Sequence, residues 1–132
     1  MMYVIKQKSG HGGSNTPHLA HYSAPGIALH TQEGTWLITW QEIRRCAADS
    51  NYTRVFLEDG TSLLVSKTLA RLESILPSVH FVRIHQSHLV NIRSIRCFGR
   101  EDVRLKCGLT LPVSRQGRKI LKRAILFTTR QI

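Results

Sequence analysis

The chain has 132 residues, enough for one domain of ordinary size and little more. Its 19 Lys and Arg against eight Asp and Glu give a net charge of +11, yet 42% of the residues are hydrophobic, so the chain can bury a core and is not merely a basic tail. The charge is uneven: residues 1–79 hold seven basic and six acidic side chains, a net of +1, whereas residues 80–132 hold twelve and two, a net of +10. A field so concentrated points to a polyanionic partner, and far exceeds what an acidic small substrate would need.

No apolar run approaches the roughly 18 residues of a membrane-spanning helix, and the start, Met1-Met2-Tyr3-Val4-Ile5-Lys6, lacks the layout of a signal peptide. The expectation is a cytoplasmic protein without a membrane partner. Cys46, Cys97 and Cys107 are odd in number and form no C-x-x-C pair, which fits reduced thiols better than a disulfide framework or a zinc site.

In chain order, residues 9–32 carry no Lys, Arg, Asp or Glu and are rich in Gly, Ser, Pro and His. Such a stretch buries too little apolar surface to offset its ordering entropy, so residues 1–25 are expected to be a flexible leader. The domain is expected over 26–127, with a short tail at 128–132. Strands are expected at Gly26 to Leu29 and Thr35 to Thr39 around Glu33-Gly34, at Arg44 to Ala47, and at Tyr52 to Leu57 and Thr61 to Val65 around Asp59-Gly60. That last dipeptide is one favoured by a type I′ turn. Ser66 is expected to cap a helix with Leu69, Leu72, Ile75 and Leu76 on one face, ended by Pro77. A strand at Phe81 to Ile84, a loop, and a turn at Asn91 to Arg93 follow. Further strands are expected at Ile95 to Phe98, Val103 to Lys106 and Leu109 to Leu111, with Pro112 discouraging further pairing. Ser114 is expected to cap a last helix to about Leu126, with Arg115, Arg118, Lys119, Lys122 and Arg123 opposite Ile120, Leu121 and Ala124.

The carboxylates are too scattered for paired acid–base catalysis, and no G-x-S-x-G, Walker-type loop or H-E-x-x-H is present. His85 and His88 are the one suggestive pair, but positions three apart on a strand point to opposite faces. Nucleic-acid binding fits better, because polar and basic residues cluster where strands end. Arg83, His85, Gln86, Ser87, Asn91 and Arg93 form one cluster. Ser114, Arg115, Arg118 and Lys119 form a second at a helix start, where free N–H groups favour a phosphate. Asn51, Tyr52 and Arg54 form a third. Any one of these alone reads equally well as a solvated charged face; three in a chain of +11 do not.

These residues also carry a resemblance. Asn51-Tyr52-Thr53, Glu58-Asp59-Gly60, the leucine-rich helix ending at Pro77, Phe81-x-Arg83-x-His85-x-Ser87-x-x-Val90-Asn91, then Ile95, and Leu111-Pro112-Val113-Ser114-Arg115 stand in one order. Over roughly Gly26 to Leu126 the sequence resembles the LytTR family of bacterial DNA-binding domains. The middle block is specific, with six identities in eleven residues. The resemblance implies a mostly β fold of about ten short strands in small antiparallel sheets with two short helices, and a regulator of transcription that binds double-stranded DNA through loops in successive major grooves. Carried over, the DNA-contacting positions match Asn51, Tyr52, His85-Gln86-Ser87 and Arg115, while Phe81, Val90 and Ile95 match core positions. Arg115 suits guanine O6 and N7, and Gln86 or Asn51 suits adenine N6 and N7. Arg83, Arg93, Arg118, Lys119 and Lys122 suit phosphates, and Arg54 is also expected at the DNA interface. His85 either contacts DNA or fixes its own loop.

Two departures stand out: Gln86 and His88 occupy places where the family often has a basic and then an aromatic residue, and the 25 residues before Gly26 are too few for the receiver domain that often accompanies family members. A stand-alone domain is therefore expected, with its signalling partner open. No cofactor and no metal is expected. A homodimer on half-sites about one helical turn apart is compatible with such recognition, although no dimer surface is marked. The alternatives are an RNA-binding module using Tyr52 and the arginine face, and a metalloenzyme built on His85 and His88.

Overall fold

The computed structural model describes residues 2–5 and 26–132. Eleven strands and two α-helices are present among them: β1 (Met2–Ile5), β2 (Gly26–Thr31), β3 (Gly34–Thr39), β4 (Ile43–Asp49), β5 (Tyr52–Leu57), β6 (Ser62–Val65), α1 (Leu69–Ile75), β7 (Phe81–His85), β8 (His88–Asn91), β9 (Ile95–Phe98), β10 (Asp102–Leu105), β11 (Thr110–Pro112) and α2 (Arg115–Thr128). The mostly β fold of small antiparallel sheets with two helices is as expected. Three sheets are formed: β1-β2-β3, the five-stranded β6-β5-β4-β8-β7, and β11-β10-β9. Residues 6–25 of the expected leader lie outside the described residues, whereas Met2–Ile5 pairs antiparallel with β2, from Met2 opposite Leu29 to Ile5 opposite Gly26.

The period-2 pattern explains the half-buried strands. In β5, Thr53, Val55 and Leu57 are buried while Arg54 and Phe56 are not, and in β10 Val103 and Leu105 are buried between exposed neighbours. Strands β7 and β8 lose that alternation because this side of the five-stranded sheet is covered on both faces: Phe81, Val82 and Ile84 of β7 and Leu89 and Val90 of β8 are all buried. On one face, Phe81 and Leu89 join a core with Val55, Leu57, Leu63, Val65 and Cys46, closed by Leu69, Leu72 and Leu76 from α1 and by Ile27, Leu29 and Ile38 from the first sheet. On the other, Val82, Ile84 and Val90 meet Val103, Leu105 and Leu111 from the third sheet and Leu121 from α2. Trp40, in the 3-10 turn after β3, stacks on His80 at 4.1 Å and so ties the first sheet to the entry of β7.

Several local expectations are corrected. Thr68, not Ser66, caps α1, its hydroxyl accepting from the Arg71 N–H. The Asp59-Gly60 connection is not a type I′ turn. Only Gly60 has positive φ, at 94°, and Leu57 is hydrogen-bonded to Thr61 around a three-residue loop that ends in that glycine. Leu105 and Leu109 close an identical loop around Lys106, Cys107 and Gly108, with φ of 97° at Gly108. The segment expected as a loop after Ile84 is instead a two-residue hairpin at Gln86-Ser87 followed by strand β8, which pairs with both β4 and β7. Its Leu89-Val90 run is too short to show a period, and only pairing on both sides reveals it as a central strand. Pro112 stands at the end of the edge strand β11, where the absent N–H costs no pairing. Ser114 caps α2 as expected, accepting from Gly117 N–H at 2.9 Å, and the helix runs two residues beyond Leu126. Ile120 is 37% exposed rather than part of the packed face, which Gly117, Leu121, Ala124 and Ile125 form instead.

Candidate nucleic-acid interface

Three chain segments that are far apart in sequence come together at one end of the five-stranded sheet, where its strands turn. The β4–β5 turn, Ser50-Asn51, is held beside the β7–β8 turn, Gln86-Ser87, by the Ala48 N–H donating to the Ser87 carbonyl at 3.0 Å. The start of α2 is held beside the end of β7 by the Ser114 N–H donating to the Ile84 carbonyl at 2.8 Å. Asn51, Gln86 and Arg115 are exposed at these three points, and Tyr52 is 45% exposed. The first turn is tight enough that Ser50 adopts φ of 60°, the left-handed region, to reverse the chain in two residues. Behind it, the buried Thr53 hydroxyl donates to the Lys67 carbonyl at 2.6 Å and fixes the start of β5.

The β7–β8 turn is fixed from within. The Ser87 N–H donates to His85 Nδ1 at 3.0 Å, so the neutral ring carries its proton on Nε2, the nitrogen left for other partners. The two histidine rings lie 5.4 Å apart at 45°. His88 is half-buried, and its Nδ1 finds no hydrogen-bond partner in the protein. Burial first, then the His85 and Arg45 charges, hold its proton affinity below the usual histidine value. Arg83 is turned inward: its Nε donates to the carbonyls of His85 and Gln86 at 3.1 and 3.2 Å, one Nη donates to the Gln86 carbonyl at 2.6 Å, and the other meets Glu73 at 2.7 Å.

Other expected cluster members separate. Asn91 is buried at the far end of β8, with Nδ2 donating to the Ile43 carbonyl at 2.9 Å and Oδ1 accepting from Arg93 N–H. Arg93 follows it, away from the Gln86-Ser87 turn. Arg54 pairs with Asp49 at 3.4 Å, and with Tyr52, Leu64 and the β2–β3 turn lines an open groove of about 590 Å³. On α2, Lys119 is exposed and Arg118 is half-buried with its Nε unpaired. Gly117 went unrecognised in the sequence, yet a Cβ there would overlap the Ile84 carbonyl. Helix and strand backbones touch at this point, and only the absence of a side chain permits it. A glycine inside an otherwise helical pattern is the signal by which it could have been found.

Arg45 is also half-buried, its guanidinium 3.7 Å from the Phe56 ring centroid, and burial is the first reason its proton affinity is lowered. The three cysteines are free thiols, Cys97 and Cys107 exposed and Cys46 buried with its pKa pushed up to about 12 by desolvation. Among the described residues, no three His, Cys, Asp or Glu side chains are grouped so as to hold a metal ion, and no helix is long and apolar enough to cross a membrane.

No curated protein matches this chain. Among solved structures, the LytTr DNA-binding domain of a protein described as a methyl-accepting/DNA response regulator from Bacillus cereus is similar, with a TM-score of 0.65 and 21% identity over 76% of this chain and 95% of that one. At that identity the likeness speaks for the fold. The family model for the LytTr DNA-binding domain matches residues 33–126, a span holding all three turns and nearly all of both cores. This chain therefore belongs to the LytTr DNA-binding domain family, whose members regulate transcription by binding DNA rather than by catalysis.

Proposed function

We propose that the protein is a cytoplasmic, sequence-specific regulator that reads double-stranded DNA by placing the β4–β5 turn, the β7–β8 turn and the start of α2 in successive major grooves. The observation that carries this reading is the convergence of the segments bearing the exposed Asn51, Gln86 and Arg115 at one end of the sheet, joined by the Ala48–Ser87 and Ser114–Ile84 hydrogen bonds. Asn51 and Gln86 each offer the donor and acceptor that adenine N6 and N7 require, and Arg115 offers the fork that guanine O6 and N7 require. Tyr52, Ser87 and His85 Nε2 add single contacts beside them. Lys119, Arg118 and Arg54 hold phosphates and set the register without reading sequence. The charge distribution supports this division, since residues 80–132 hold a net +10, more than the base readers need.

Selection of bound duplexes from a random pool tests the reading. An enriched motif is expected, and two copies about one helical turn apart would report a dimer on paired half-sites. Enrichment of nothing, or single-stranded RNA that outcompetes every selected duplex, sinks the proposal.

A further inference from the structure

We propose that Glu73 and Arg83 together are a positioning pair for base recognition: Glu73, on α1, holds the Arg83 guanidinium against the backbone of the Gln86-Ser87 turn and so sets the direction in which Gln86 projects. The inference rests on the reading that this turn reads bases. Arg83 points away from the role its charge suggests. Its side chain is 25% exposed, and its Nε and one Nη are spent on the His85 and Gln86 carbonyls, while the other Nη meets Glu73 at 2.7 Å. A planar guanidinium held at two edges has one orientation, and its carbonyl partners inherit it. The carboxylate supplying the second edge comes from a helix that places no residue among the three exposed turns. Ser87 is also committed at both backbone groups, its N–H to His85 Nδ1 and its carbonyl to Ala48 N–H, which leaves the Gln86 side chain exposed on a turn held at its carbonyls and at the Ser87 amide.

The pair makes a prediction opposite in sign to simple electrostatics. Glu73→Ala removes a negative charge from a DNA-binding protein, which by charge alone tightens binding to any duplex. As a positioning residue, its loss instead weakens binding to the selected motif by about tenfold or more, the value of one good base contact, and leaves non-specific binding no weaker. Arg83→Lys keeps the charge but not the fork, and loses specificity in the same way with the salt slope unchanged. Affinities of the full chain for the selected duplex and a scrambled one would be measured across a salt series. Amide exchange at Ser87 would be followed alongside, with melting temperature as the folding check.

Loss of the specific-to-scrambled ratio in both variants, with faster Ser87 exchange and an unchanged salt slope, supports the pair. Retention of the wild-type ratio by either variant overturns it. So does a salt slope that falls by about one in Arg83→Ala with the ranking of duplexes unchanged, since that marks a phosphate contact. If the wild-type protein enriches no motif, the reading of the turn as a base reader fails by itself. Ser87 exchange then decides the pair alone: faster exchange in Glu73→Ala supports it, and unchanged exchange overturns it.

Discussion

Arg115 and Lys119 sit one helical turn apart at the start of α2, both exposed, and differ in what their side chains can distinguish. A guanidinium fork matches two acceptors on one base, whereas an ammonium meets any phosphate equally. Arg115→Ala is expected to cost about 1 to 3 kcal/mol at one base position and to relax the preference there. Lys119→Ala is expected to weaken all duplexes alike and to lower the salt slope by about 0.9. Binding isotherms on a panel of single-base variants at several salt concentrations separate the two, and a uniform loss from Arg115→Ala would remove it from the readers. At this scale the sequence was legible in exposure, as at Asn51, Gln86 and Arg115, all three of which face solvent. It was not legible at Arg83 or Asn91, because their partners Glu73 and Ile43 lie 10 and 48 positions away and no local pattern reports them.

The docking of α2 on β7 is the contact that places Arg115 beside the β7–β8 turn. Ser114 donates to the Ile84 carbonyl, and Gly117 lies so close to the same peptide that a methyl group would overlap backbone atoms that cannot rotate away. At an exposed helical position Gly→Ala stabilises by about 1 kcal/mol. Here the sign should reverse, with Gly117→Ala losing about 1 to 3 kcal/mol or more in urea denaturation, because the helix must lift from the strand. Unchanged or increased stability would show that the contact is looser than described. The same variant should weaken DNA binding by moving Arg115 away from Gln86. Helix α2 itself was readable from its Ser114 cap and its periodicity, but its packed stripe was not. Ile120 is exposed because the helix settles on Gly117 and Leu121, a rotation set by the strand beneath it.

For the whole molecule, charge and titration govern how binding and stability respond to solution conditions. With several phosphates neutralised at once, binding should fall with salt at a log–log slope of about −0.9 per phosphate. A flat dependence would contradict a phosphate-based interface. Stability should respond to acid through His88, whose proton affinity in the fold is held below the ordinary value of 6.5. Below pH 6.5 the unfolded chain takes up a proton that the folded one refuses, so stability is present above that pH and is lost as pH falls beneath it. The contribution of this one group is at most about 1.4 kcal/mol per pH unit. His88→Gln should flatten that part of the profile in denaturation measured between pH 7 and 5, and an unchanged slope would remove His88 as its source.

By itself the sequence determined the strand-rich class, through period-2 alternation in β5, β6 and β10, and the position of the helix starting at Ser114, through its cap. It also determined the asymmetric positive field and, through the ordered Phe81 to Asn91 block, the family. These are properties of neighbours along the chain or of simple counts. The tertiary structure alone decided that Leu89 and Val90 form a strand paired on both sides, that the β4–β5 turn, the β7–β8 turn and the start of α2 lie together at one end of the sheet, and that Arg83 faces a carboxylate instead of solvent. Each of these depends on contacts between residues distant in sequence, and such contacts are set by packing two cores against opposite faces of one sheet.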